Sequence, residues 1–136
     1  MSKGSGGAGG GVATRNGGRT PVREASGVEY VKSPRAIASG DVAVRVSVDK
    51  LDKAWQPSQR IPPGGGDQGP AKYNAAKDQV AKGKRVGMPE ITIRPNGTVV
   101  FTDGRHRAAG ARDLGKKFIW VTVPRSQAAK AKRELG

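Results

Sequence analysis

The chain contains no cysteine. Disulfide staples, thiolate nucleophiles and Cys-ligated zinc are therefore excluded from the outset. It contains one histidine, His106, so a multi-histidine metal centre is excluded too, while a carboxylate site for Mg²⁺ stays open. No apolar run approaches the ~20 residues that span a bilayer. The N-terminus has a lysine with no apolar stretch behind it, so neither a secretory signal nor a membrane partner is expected. These absences predict a cytoplasmic setting, and a virion-associated protein would have the same composition. Acidic residues are also in short supply. Against 11 Asp and Glu stand 25 Lys and Arg, a formal net charge of +14. A charge of that size favours polyanions: nucleic acid, nucleotides or an acidic protein.

At 136 residues the chain is long enough for one domain, but the composition is uneven. Residues 1–40 begin MSKGSGGAGGG and hold few large apolar side chains. Such a segment buries too little to offset its ordering entropy, which predicts a flexible, basic, Gly-rich arm. Residues 41–136 are left as the domain, enough for a small core.

Along that domain, Val42, Val44, Val46 and Val48 alternate with Asp41, Ala43, Arg45 and Ser47, the period of a strand. Leu51 and Trp55 lie four apart and share a face of a short helical turn. Gln56 to Pro70 holds four prolines and four glycines and predicts a loop, carrying Gln59, Arg60, Asp67 and Gln68. Ala71 to Gly83 predicts a helix with Tyr73, Ala76 and Val80 inward, and a basic side that continues through Lys82, Lys84 and Arg85. Two alternating runs flank Asn96-Gly97, a hairpin signal. Arg105 to Leu114 predicts a helix closed by Gly115, with Ala108, Ala111 and Leu114 inward. Phe118 to Val123 is a nearly unbroken apolar run, expected to be a strand buried on both faces and parallel to the strand before the helix. Ser126 to Leu135 predicts a last helix exposing Lys130, Lys132 and Arg133. The order of elements predicts a small mixed α+β domain.

The segment Phe101 to Gly115, FTDGRHRAAGARDLG, concentrates the chemistry. A strand stops at Asp103-Gly104, and Arg105, His106 and Arg107 open a helix. N–H groups at a helix start are unpaired and partly positive, and a glycine lets a phosphate approach the backbone. Of the two arginines, one can hold a phosphate bidentately and the other a second phosphate or an adjacent carboxylate. His106 can donate to phosphate or move a proton near neutral pH. Asp103 suits the N-cap, or Mg²⁺. His106 and Asp103 are thus the candidate catalytic pair, although the acidic residues Asp41, Asp67, Glu90 and Asp103 are scattered and form no metal-binding doublet.

These residues resemble the ParB/sulfiredoxin superfamily, of the ParB-like nuclease domain type. The likeness runs over roughly Val42 to Val123 and rests on the strand, D-G-x-H-R, Ala-rich helix and Leu-Gly order. The resemblance implies a small mixed-sheet ParB/sulfiredoxin-like fold and a phosphate loop of Gly104, Arg105, His106 and Arg107. Gln56-Pro-Ser-Gln59-Arg60 is similar to the N-P-x-x-R segment of those relatives and adds Gln59 and Arg60 to the expected phosphate contacts. Gly87-Met-Pro-Glu-Ile91 resembles their G-x-x-x-P-I stretch, with one extra residue after the proline. Arg105 stands where sulfiredoxins have their reactive cysteine, so sulfinic acid reduction is excluded. The expectation is a domain that binds nucleotide or nucleic-acid phosphate, with or without Mg²⁺, and acts as a nuclease or nucleotidase. Its rival is a non-enzymatic accessory protein of a phage or other mobile element, binding nucleic acid or an acidic protein. Lys82, Lys84, Arg85, Lys130, Lys132 and Arg133 are the expected nucleic-acid contacts.

Overall fold

A computed structural model describes residues 21–136 apart from Ser26, Gln68 and Lys84. The chain forms a small α+β domain with two mixed sheets.

The first sheet has three short strands in the order β1 (Val22–Arg23), β2 (Glu29–Val31) and β4 (Arg85–Gly87), with β2 antiparallel to β1 and parallel to β4. The expected arm therefore ends earlier than residue 40. Val28, Tyr30 and Ala36 are buried in the core. Ser33 caps α1 (Pro34–Ala38) by accepting the Ala36 N–H at 3.0 Å, and Pro34 starts the helix where its missing N–H costs nothing. Three buried apolar side chains, together with strand pairing to β4, hold a segment whose average composition predicts disorder. The part of that expectation that concerns residues 1–20 lies outside the described residues.

The second sheet has the order β3 (Val42–Ser47), β7 (Phe118–Val123), β5 (Glu90–Ile93) and β6 (Val99–Asp103). It consists of two antiparallel pairs. β3 and β7 are in register over six residues, and β5 and β6 form the Asn96-Gly97 hairpin. β5 joins β7 in parallel through the Glu90–Thr122 pair. Two glutamines finish the hairpin's edges. Gln127 exchanges two hydrogen bonds with the Ile93 backbone (2.8 and 2.9 Å), and Gln59 exchanges two with Phe101 (both 2.8 Å). Each side-chain amide stands in for a neighbouring strand and covers exposed backbone.

The remaining helices are α2 (Val48–Ala54), α3 (Pro70–Ala81), α4 (Arg105–Asp113) and α5 (Ala128–Leu135). Ser47 caps α2 through the Lys50 N–H. α3 buries Tyr73, Ala76 and Val80, the face that the spacing predicts. α3 and α4 cross closely at Gly110, where a Cβ would come within 2.8 Å of the Lys77 Cα. The core joins Val44, Val46, Leu51, Trp55, Ile91, Val99, Phe101, Ile119, Val121 and Leu135 into one cluster.

Two further expectations are corrected. β6 and β7 are not parallel neighbours. β5 is parallel to β7 and antiparallel to β6, so β6 and β7 run in opposite directions with β5 between them. After β6 the chain continues through α4, turns at Gly115 (φ 77°) and returns along β7, an α-β hairpin in place of a crossover. Nor is β7 buried on both faces: Phe118 is exposed and Trp120 is half-buried. An apolar run does not reveal which of its faces finds a covering layer.

Candidate phosphate site

β6 delivers the chain to Gly104, which takes a left-handed conformation (φ 84°) as the N-cap of α4. A Cβ there would lie 2.7 Å from both Arg107 Nη2 and Pro89 Cα, so backbone angle and crowding together require glycine. Asp103 does not cap the helix. It belongs to β6, opposite Glu90, and α4 has no side-chain cap. The first bond of the helix is from Ala108 N–H to Gly104 O, and the N–H groups ahead of it have no partner within the helix.

A cleft of about 340 Å³ opens beside this helix start. One wall is the loop from Ser58 to Asp67, and the other is Arg105 and His106. Arg105 is half-buried, and Nη1 donates to Gln59 O at 3.3 Å. His106 faces the start of α3, where a Cβ on Gly69 (φ 68°) would lie 3.4 Å from Nε2. Burial holds the His106 imidazole below its ordinary value, and the charges of Arg105, Lys72 and Arg107 lower it further. It is therefore neutral at pH 7, surrounded by cations.

Arg107 leaves the cleft. It packs against Gly87, where a Cβ would be 3.6 Å from the guanidinium, and Nη2 reaches Asp103 Oδ2 at 3.5 Å. Its Nε is buried with no partner among the described residues. Of the alternatives open for the two arginines, Arg105 takes the cleft and Arg107 the adjacent carboxylate. The candidate catalytic pair is thereby separated, since His106 lines the cleft and Asp103 is bonded on the other side of the helix start.

The loop that forms the far wall is anchored by a chain of ion pairs. Arg112 donates Nη1 to Asp52 Oδ1 (3.0 Å) and to Ile61 O (2.6 Å), and Nε and Nη2 to Asp113 (2.8 and 3.2 Å). Asp113 Oδ2 also accepts from Tyr73 Oη (2.6 Å) and from Gly64 N (3.0 Å). Burial pushes the Asp113 carboxyl up, but the bonds from Arg112, Tyr73 and Gly64 outweigh it and hold it at about 2. Burial likewise opposes ionisation of Asp52, and hydrogen bonds from Arg60 and Arg112 overcome it, so its carboxyl also sits below the usual range. Gly65 (φ 97°) lies flat on Tyr73, where a Cβ would meet the ring at 2.6 Å.

This chain of pairs alters two expected phosphate contacts. Arg60 lines the cleft, but its guanidinium forks onto Asp52 at 3.0 Å on both arms. The Gln59 amide is fully engaged with Phe101, so Gln59 shapes the wall and offers no side-chain donor. The sequence places Lys72 only on the basic side of α3, because its closeness to His106 depends on how α3 meets α4. Asp52, Arg112 and Asp113 are likewise brought together by packing.

The expected nucleic-acid contacts do not gather on one face. Lys82 pairs with Asp78, Arg85 with Glu29 and Arg133 with Glu134. Lys130 donates to Arg94 O, and Lys132 is exposed at the end of α5. α3, which leads into Lys82, packs on α4, whereas α5 packs on β3. Lys84 lies outside the described residues. The acidic residues are also dispersed. Asp67 is in the cleft, while Glu90 is buried and takes Arg35 at 3.1 Å. Burial and the nearby Glu90 charge raise Asp41 above its ordinary value. Among the described residues no group of three or more His, Asp or Glu could hold a metal ion, and no helix is long and apolar enough to cross a membrane.

No protein-family model and no curated protein matches the chain. A solved structure does. It is that of Oncogenic Suppression Activity Protein, a plasmid fertility inhibition factor, in its gold(I) cyanide derivative. The TM-score is 0.61 at 20% identity, over 93% of this chain and 81% of that one. At this identity the likeness is one of fold.

Proposed function

We propose that the protein binds the phosphate of a nucleotide or nucleic acid in the cleft between the Ser58–Asp67 loop and the start of α4. One observation carries this reading. α4 begins uncapped, on a left-handed glycine, beside a cleft whose near wall is Arg105 and His106. Among the described residues Arg105 makes a single long bond, leaving most of its fork for a ligand. The helix N–H groups and the positive end of its dipole add to the attraction. Lys72 supplies a further charge from the neighbouring helix.

Chemistry at the site is narrower than binding. His106, held neutral, is the group there that can accept a proton near neutral pH. Asp67 is the carboxylate of the cleft. Mg²⁺ arriving on a nucleotide is usually held by phosphate oxygens and one or two carboxylates, a role Asp67 would fit. The ParB-like resemblance supports a nuclease or nucleotidase in which His106 takes a proton from water. The separation of Asp103 from His106 favours the second reading, a phosphate-binding accessory protein without turnover. The fold shared with a plasmid fertility inhibition factor supports a mobile-element setting for either.

Thermal shift and calorimetric titration with ATP, CTP, GTP and short DNA, with and without Mg²⁺, test the reading. Binding by the parent and its loss in Arg105→Ala are expected. A well-folded Arg105→Ala that binds as the parent does would refute it. Product formation that disappears in His106→Ala separates enzyme from binder.

A further inference from the structure

The β3–β7 pair has two faces. One carries Val42, Val44, Val46, Ile119 and Val121, all buried. The other sets Ala43, Arg45 and Ser47 opposite Thr122, Trp120 and Phe118. At the Ala43–Thr122 end this second face is buried, each residue at 1% exposure. At the other end it is open. Phe118 is 38% exposed, the one exposed large hydrophobic among the described residues. The Arg45 guanidinium carbon stands 3.9 Å from the centre of its ring. Trp120 Nε1 donates to Glu24 at 3.0 Å, and Arg45 Nε lies 3.8 Å from the same carboxylate. Indole and guanidinium are thus held in place, and Lys116-Lys117 leads straight into Phe118.

We propose that this open face is a stacking surface for single-stranded nucleic acid, separate from the phosphate cleft. Aromatic rings and arginine planes on a sheet offer flat surfaces to unpaired bases, and every base has a π-face. Arg45, Lys116 and Lys117 place positive charge beside the rings, where a backbone phosphate must pass. Glu24, the acidic group touching this patch, is already neutralised by Arg45 and the Trp120 N–H. A second copy of the chain is a poor occupant, because each copy would bring its own +14 to the contact. Exposed ring and guanidinium planes also suit bases better than the carboxylates of an acidic protein.

The test is fluorescence anisotropy of a labelled oligothymidylate across a salt series, with a duplex of equal length beside it. The parent should bind the single strand more tightly than the duplex. Phe118→Ala should weaken single-strand binding by about fivefold or more. The slope of log K against log salt should not change, because the lost contact is not ionic. Phe118→Leu keeps the apolar bulk without the π-face and should weaken binding similarly, whereas Phe118→Tyr should retain it. Inorganic phosphate should bind Phe118→Ala as it binds the parent, because Phe118 does not line the cleft, so failure here and failure of the cleft reading are separable. Absence of binding by the parent would overturn the proposal. So would equal binding by parent, Phe118→Ala and Phe118→Leu, or a preference for duplex. A parent dimer in sedimentation that Phe118→Ala converts to monomer would make a second copy the occupant and would also overturn it.

Discussion

At the C-terminal end of α4, Arg112 makes four hydrogen bonds, three to Asp52 and Asp113 and one to a backbone carbonyl, with 12% of its side chain exposed. At the N-terminal end, Arg105 makes one long bond and faces a cleft. The two arginines are seven positions apart on one helix, and their partners separate their roles. Where a buried guanidinium finds carboxylates and carbonyls for its donors, it holds the structure together. Where its donors are left over beside a helix start, it is available to an anion. The cleft depends on both, since the ion pairs around Arg112 fix the loop that forms the wall opposite Arg105.

The largest expected effect comes from breaking the satisfied end. Arg112→Ala leaves Asp113 half-buried without its main partner and Asp52 with Arg60 alone, and should cost about 3–5 kcal/mol of stability, read from denaturant unfolding. A loss under about 1 kcal/mol would show the pairs to be surface decoration. The open end should behave in the opposite way. Arg105→Ala should stay within about 0.5 kcal/mol of the parent in stability. Its phosphate or nucleotide binding should weaken by about 1.5–3 kcal/mol, the worth of a hydrogen bond to a charged group. If Arg105→Ala proved as destabilising as Arg112→Ala, the contrast between the ends would collapse.

Acid should distinguish them further. The Asp113 carboxyl sits at about 2 in the folded protein, below its value in the unfolded chain. Its contribution is therefore fully present above the unfolded pKa and is lost as pH falls toward 2. About 2 kcal/mol of stability should disappear over that window, and Asp113→Asn should flatten that part of the profile. The smallest effect belongs to His106, whose folded pKa lies below 6.5. A bound anion favours its protonated form, so affinity for sulfate, whose charge is constant here, should rise as pH falls below about 6.5. The gain should be less than tenfold, and His106→Gln should remove it. Sulfate affinity that is flat from pH 7.5 to 5.5 in the parent would place His106 outside the anion's reach.

Much of the fold was legible in one dimension. Alternating valines mark β3, Asn96-Gly97 marks the hairpin, and Tyr73, Ala76 and Val80 mark the buried face of α3. These signals are local, because strand and helix periods depend on neighbours within a few residues. The misreadings came where a distant layer decides. Val28 and Tyr30 count for little in a glycine-rich window, yet a place opposite β4 and the second sheet buries them. The direction of β7 relative to β6 turns on β5 lying between them, and no short motif records that.

The site divides in the same way. Gly104 followed by Arg105, His106 and Arg107 fixes, by covalent order alone, a glycine turn, a helix start and three cationic or titratable groups within a few ångströms. The sequence by itself determined that cationic side chains gather at this helix start. Which arginine faces the cleft was decided by tertiary packing, because successive helix positions point about 100° apart and the protein fills only some of those directions. Gly87 and Pro89 receive Arg107, the loop from Ser58 to Asp67 stands opposite Arg105, and α3 brings Lys72 to His106. Gln59 and Arg60 went to structural partners for the same reason. A donor binds whatever acceptor the fold sets within 3 Å, and for Phe101 O and Asp52 that distance spans many residues of intervening chain.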